Sequence, residues 1–335
     1  MSEVQTLNYS THAIEDLRAA AARMAPAFRQ TKVQTLRIAE LIDQAVKFIL
    51  PDNGDLVELT KIDEVSLGMF RLPFPLTVLE APFPPGGALV EEGLMKEVAS
   101  TKRITLAWDE TFAAKSGFAP DFKEEGVYVL SVYYSDDSRQ WLAAPLGLFI
   151  PLDNNVRTLG TNLGTGPDAL MTQHLLSTEA STTKSSLLDA NYFLVLPQIA
   201  ELLSEEMGHD AALARMQLDV RDEMLTAYGF CLTVNCVNIG VATIAAPEKL
   251  NAKRVRNGKP PLYEYKVLDL PEPKAHQATG YRLDGSRNAP RTHLRRGHPR
   301  KLPDGRLTFV RAAVIGASNL GTLLKDYRVS GKAST

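Results

Sequence analysis

Cysteine is almost absent from this chain of 335 residues, which has only Cys231 and Cys236. Five positions apart on an apolar helical stretch, they are poorly placed for a disulfide, and two thiols do not make a zinc site. The expectation is a reduced, cytoplasmic protein whose cysteines pack as small apolar side chains. No apolar run approaches the roughly 18–20 residues of a membrane span, so none is expected. The opening Met-Ser-Glu-Val-Gln lacks a basic region and an apolar core, which argues against a secretory signal. The sequence also lacks G-x-x-x-x-G-K-S/T, H-E-x-x-H, C-x-x-C and G-x-S-x-G. With no such cradle or ligand set, no cofactor and no metal are expected. Gly160–Gly166 has no strand leading into it, and the loop from Pro82 to Gly87 has no helix directly after it, so neither reads as a phosphate loop. The acidic pairs Asp109-Glu110, Glu124-Glu125 and Glu205-Glu206 are adjacent residues. They diverge on a strand and lie about 100° apart around a helix axis, so they read as solvated surface. Tyr133, Tyr134 and Trp141 on β-like runs read as core or cross-strand pairs.

What remains is an ordinary globular composition, 44% hydrophobic and 23% charged, with length enough to bury a sizeable core. The net charge of −2 conceals an asymmetry. Lys249 to Arg311 holds 16 Lys and Arg against 5 Asp and Glu, a local net of +11, and the tail from Ala312 adds +2. Residues 1–248 therefore carry about −15. A basic C-terminal region on an acidic body points to a polyanionic partner, or else the two parts neutralise each other within the fold.

Three regions follow from composition: an α+β N-terminal region over 1–152, a mainly helical region over 153–246, and a basic, β-rich module over 247–335. In the first, Ile14, Leu17, Ala20, Ala21 and Met24 predict a helix. The stripe Ile38, Leu41, Ile42, Ala45, Val46 and Ile49 predicts a second helix from about Thr31 to Pro51. Strands are predicted at Leu56–Lys61, Leu76–Glu80, Ile104–Trp108, Val127–Tyr134 and Gln140–Ile150, the last two joined by a turn at Asp136-Asp-Ser138. Helices are predicted over 166–178, over 186–206 with Pro197 kinking or dividing it, and over 209–237. Glu248–Lys259 reads as a basic flexible segment and Pro260–Leu270 as a strand. A loop with His276 spans 271–290, a hairpin spans about 291–316, and Asp326–Val329 reads as a closing strand. The fold class is α+β.

The densest chemistry lies in Arg291-Thr-His-Leu-Arg-Arg-Gly-His-Pro-Arg300, which holds two of the six histidines and four arginines. Extended, it places His293, Arg295, Gly297 and Pro299 on one face and Arg296, His298 and Arg300 on the other. Arginine grips phosphate with paired N–H donors and stacks on bases, which suits RNA. The candidate nucleic-acid surface is Arg291, His293, Arg295, Arg296, His298, Arg300, Lys301 and Arg306, together with Lys253, Arg254, Arg256 and Lys259. Two other readings stay open. His293 and His298 suit a metal-independent ribonuclease, one taking the 2′-hydroxyl proton and the other protonating the leaving oxygen. The same residues also suit a polar network pinning the hairpin to the acidic body.

Arg291, His293, Arg295, Arg296, Gly297 and His298 form an R-x-H-x-R-R-G-H motif. In this the chain resembles a family encoded by phages and mobile elements, which includes a type V-A anti-CRISPR protein that prevents production of the effector nuclease during its translation. The segments Glu248–Leu268 and Arg71–Leu79 also resemble stretches of phage proteins of similar length. The anti-CRISPR relative usually has an aromatic residue where this chain has Pro299. The resemblance implies a phage-encoded anti-defence or host-takeover factor in the host cytoplasm. It would act without catalysis on RNA or a ribonucleoprotein, such as a translating ribosome and its nascent chain, or on a host defence protein. A virion-associated role for the basic strip is the further alternative.

Overall fold

Near-continuous buried runs in Leu76–Pro82, Lys102–Asp109, Gly126–Ser135 and Gln140–Pro151 build the centre of the molecule, because each strand buries side chains on both of its faces. In the computed structural model, the described residues are 6–57, 70–84, 100–118, 122, 124–152, 156–158, 186–188, 190–270, 291–295, 298–310, 313–315 and 317–322. For 156–158, 186–188, 291–295, 313–315 and 317–322 the description is of the backbone.

In chain order the elements are α1 (Tyr9–Arg23), α2 (Arg29–Gln44), β1 (Val46–Ile49), β2 (Leu76–Pro82), β3 (Lys102–Asp109), α3 (Glu110–Ser116), β4 (Gly126–Ser135) and β5 (Gln140–Pro151). There follow β6 (Val156–Thr158), β7 (Ser186–Leu188), β8 (Asn191–Leu194), α4 (Pro197–Met207), α5 (His209–Asp219), α6 (Arg221–Val234), β9 (Gly240–Ile244), α7 (Glu248–Arg256) and β10 (Tyr265–Asp269). The last are β11 (Arg291–Arg295), β12 (His298–Lys301), β13 (Leu307–Val310), β14 (Ala313–Ile315) and β15 (Ala317–Thr322). The class is α+β, as expected.

Eight strands form one sheet in the order β8-β5-β4-β3-β2-β1-β10-β9, so all three compositional regions contribute to it. Neighbours are antiparallel except around β1, third from one edge, which runs parallel to both β2 and β10. One face carries Val78, Ile104, Leu106, Trp108, Tyr128 and Val132 against Ile14, Leu17, Ile38 and Leu41 of α1 and α2. The other carries Leu79, Ala81, Ala107, Val129 and Leu148 against Met224, Ala227, Tyr228 and Cys231 of α6. Helices therefore cover both faces of the sheet. Both cysteines are free and buried, and burial pushes their thiols upward in pKa, in keeping with a packing role.

Glu80 fastens the N-terminal layer to the sheet. Its fully buried carboxylate accepts from the N–H of Tyr9 (3.0 Å) and Ser10 (2.8 Å) at the start of α1, and from the Tyr265 hydroxyl (2.8 Å) on β10. A carboxylate there supplies the acceptor that a helix start needs, and Asn8, which precedes α1, makes no side-chain cap. Lys47 on β1 is buried nearby. Its ammonium donates to the carbonyls of Asp43 (3.1 Å) and Ala45 (2.8 Å) and lies 3.8 Å from the centre of the Tyr263 ring.

Several expectations need correcting. The second helix ends at Gln44, and Val46–Ile49 is an interior strand instead of its last turn. A strand buried on both faces is apolar at nearly every position, so it extends a helical stripe without a visible break. Leu56 and Val57 are not in a strand; residues 58–61 lie outside the described residues. The 186–206 helix is β7, β8 and then α4, which begins at Pro197, where the missing N–H costs nothing. The 209–237 helix divides into α5 and α6 at Val220. Glu248–Lys259 is mostly helix α7. The predicted helix 166–178, loop 271–290 and strand 326–329 lie outside the described residues, as do residues 85–87 of the proline-glycine loop.

Candidate nucleic-acid interface

The basic hairpin forms in a single register. His298–Lys301 pairs antiparallel with Leu307–Val310, and His293–Arg295 pairs antiparallel with Ala313–Ile315. Both ladders are centred on Asp304, in the turn around Gly305, whose φ of +86° suits glycine. β15 adds to β11 on its other side, making a small three-stranded sheet with β14.

One side of the hairpin is anchored. Leu307 and Phe309 are buried in the core under α6. The Val237 N–H donates to the Leu307 carbonyl (2.9 Å), and the Asn238 side chain both donates to the Phe309 carbonyl (3.0 Å) and accepts from its N–H (2.7 Å). Arg300 lies across from Thr308, on the face opposite Leu307 and Phe309, and is exposed. Lys301 is exposed as well. At the turn, Arg306 is exposed and paired with Asp304 at 2.6 Å, and that guanidinium holds the Asp304 carboxyl below its usual range. His298 is buried opposite Val310 and held among neighbours, so it is not presented to a phosphodiester in solvent. This removes one of the two imidazoles from the ribonuclease arrangement and from the open cationic surface. Arg291, His293 and Arg295 lie on β11, while Arg296 is outside the described residues. β11 and β12 keep the same register about Asp304, and residues 296 and 297 between them lie outside the described residues.

The second basic surface is α7. Asn251 and Arg254 tie it down: Asn251 exchanges hydrogen bonds with the backbone of Leu262 (2.7 and 2.8 Å), and Arg254 donates to the Pro260 carbonyl (2.7 Å) and pairs with Glu15 (3.2 Å). Arg254 is thus committed to the fold and leaves the candidate set. Lys249, Lys253 and Arg256, spaced four and three apart, fall on one stripe facing away from those contacts, and all are exposed. Lys259 follows them into solvent. Among the described residues, none of these four, nor Arg300 or Lys301, has a carboxylate partner. Exposed cations without a described carboxylate partner also occur singly on the body, at Arg18, Arg23, Arg29, Lys115 and Arg139; what distinguishes α7 and the hairpin is that theirs are clustered. Lys249 was missed in the sequence because a segment read as flexible has no faces.

A buried ionic cluster was also missed. Arg103 on β3, with a side chain 20% exposed, pairs with Asp222 (3.1 Å) and with fully buried Glu223 (3.5 Å) at the start of α6. It also lies 4.8 Å from the Phe83 ring centre. Ser131 and Asp222 flank Glu223, and Asp219, paired with Arg215 (2.9 Å), stands close by. Burial lifts the Glu223 carboxyl to about 7, with Arg103 opposing and Asp222 adding to the rise. Its acids lie together at the junction of α5 and α6, but Arg103 and Ser131 come from strands some ninety to a hundred and twenty positions earlier, so no local spacing announces it.

Comparison with protein-family models, with curated proteins and with solved structures returned no match. No helix among the described residues is long and apolar enough to cross a membrane, and no group of metal-holding side chains occurs among them.

Proposed function

We propose that the protein is a non-enzymatic RNA- or ribonucleoprotein-binding factor, encoded by a phage and acting in the host cytoplasm against host defence or gene expression. The observation carrying this reading is the clustering of solvent-facing cations without described carboxylate partners: Lys249, Lys253, Arg256 and Lys259 on and after α7, and Arg300 and Lys301 on the anchored hairpin. Leaving cations unpaired on a chain whose first 248 residues carry about −15 favours a polyanionic ligand from outside. The anti-defence role rests on the likeness of Arg291–His298 to the phage-encoded family. Phosphate contacts of this kind bind RNA with little regard to sequence.

Six such contacts to single-stranded RNA give a slope of log affinity against log salt of about −4, a loss of roughly 300-fold between 50 and 200 mM salt. A filter-binding titration with a labelled single-stranded RNA measures it. Affinity that stays flat across that range refutes the reading. Crosslinking in infected cells, followed by sequencing of the bound RNA, then identifies the target.

A further inference from the structure

Asparagine followed by glycine occurs twice in this chain, at Asn53-Gly54 and at Asn257-Gly258. The dipeptide has a reaction of its own. Glycine has no side chain to shield its amide nitrogen, and that nitrogen, once deprotonated, attacks the side-chain carbonyl of the asparagine before it. The new N–Cγ bond closes a five-membered succinimide, and the side-chain nitrogen leaves as ammonia. Water then opens the ring at either carbonyl. One opening gives aspartate; the other gives isoaspartate, with the chain rerouted through the side chain. Neither an oxidant nor a cofactor is consumed.

Locally the two sites are alike. Both glycines are left-handed, with φ of +65° at Gly54 and +67° at Gly258. Each N–H donates at 3.0 Å to the carbonyl three residues back, that of Pro51 for Gly54 and of Val255 for Gly258. Both asparagines are exposed. Tertiary packing separates them. Gly54 is buried, a Cβ there would fall 2.6 Å from the Thr226 hydroxyl oxygen on α6, and Leu56 and Val57 just beyond it are buried too. Freeing its nitrogen means lifting that loop off α6. Gly258 is exposed, and a Cβ there would meet nothing within 4 Å. It belongs to the cap of α7, where the Lys259 N–H also returns to the Arg254 carbonyl (2.9 Å). Helix ends open more readily than packed loops. Arg256 and Lys259 flank the pair, and positive charge favours the deprotonated nitrogen.

We infer that Asn257 is a site of spontaneous deamidation, and that the carboxylate formed there discharges the cationic face of α7. Lys253 stands one helical turn earlier, so a cation without a described partner gains one. Negative charge at a helix C-terminus also opposes the helix dipole and loosens the cap. The effect on RNA rests on the proposed role of α7; the chemistry at Asn257 does not.

The full-length protein is aged at neutral and alkaline pH, digested, and its peptides are separated and weighed. Conversion at Asn257 should be at least about tenfold faster than at Asn53, because a helix end opens more easily than a packed loop. It should also quicken about tenfold for each pH unit, as the deprotonated amide becomes more abundant. Asn257→Gln, whose ring would need six members, should stay intact. Fresh Asn257→Asp should bind single-stranded RNA with a salt slope shallower by about 0.7, and aged wild type should approach it while aged Asn257→Gln keeps the original slope. An intact Asn257, or Asn53 converting as fast, overturns the site. Conversion that leaves the slope unchanged overturns its effect on RNA. Fresh wild type whose RNA binding ignores salt is a failure of the RNA reading alone, and the peptide masses still decide the site.

Discussion

Replacing Glu223 with glutamine should leave the protein nearly unaffected in acid and make it more stable than wild type at neutral pH and above. Glu223 is fully buried, and its carboxyl is raised from an ordinary 4.5 to about 7, chiefly by burial. An acid whose pKa is higher in the folded state contributes stability that is complete below the unfolded value and lost as pH rises through the folded value. The window here runs from about 4.5 to 7. Its integral, at 1.36 kcal/mol for each pH unit, is about 3 kcal/mol. Glutamine resembles the protonated carboxyl in shape and never ionises. The stability difference between Glu223→Gln and wild type should therefore grow by about 3 kcal/mol in favour of the variant from pH 4.5 to 8. Lys47, lowered to about 8 mainly by burial, acts in a separate window from about 8 to 10.5, where its contribution rises with pH. Glu80 and Asp219 are also raised, but both are present in wild type and variant and cancel in the difference. Urea denaturation at half-unit pH steps supplies the curve. A difference that stays constant from pH 4.5 to 8 refutes the view that Arg103 under-compensates this carboxylate.

Other predictions follow from the same geometry. Glu80→Ala removes the acceptor of two backbone N–H groups and the Tyr265 hydroxyl, and should cost about 3–5 kcal/mol in urea melts, with α1 amides exchanging fastest; Tyr265→Phe should cost only about 1 kcal/mol. Phe309→Ala should cost about 3 kcal/mol or more and loosen the hairpin first, seen as lost amide protection at Val237 and Phe309. Arg300→Gln with Lys301→Gln should lower the salt slope of RNA binding by about 1.4 without changing stability, while Arg306→Gln should have little effect because that cation is already paired with Asp304.

Strands β2 to β5 were legible as short β-like runs broken by proline and glycine, and the Asp136–Ser138 turn lies where its polar cluster predicted. The hairpin was legible from its Pro-Asp-Gly turn, whose centre fixes the observed register. Val46–Ile49 was not, because it follows α2 after a single residue, with no proline or glycine to mark the break, and its apolar residues continue the helical stripe. Glu80 and Glu223 were illegible for a different reason. Glu80 stands among apolar neighbours and Glu223 beside Asp222, and in both cases the neighbours fix only the local element while partners lie as many as 185 positions away. On the basic side, sequence identified the cations but not their commitments: Arg254 and Arg306 are spent within the fold, His298 is covered, and Lys249 gains its place only once α7 exists.

The interior strand Val46–Ile49 takes one neighbour from residues 76–82 and the other from 265–269. As the polypeptide emerges from a ribosome, most of the N-terminal layer can assemble while one margin of Val46–Ile49 still has bare amide and carbonyl groups. That margin is closed only after some two hundred further residues have been made, and unpaired margins of this sort recruit other chains. Any product stopped before Tyr265 should therefore clump instead of surviving as a smaller working unit, and the cations of the hairpin, synthesised after the closing strand, would be displayed only once that margin is covered.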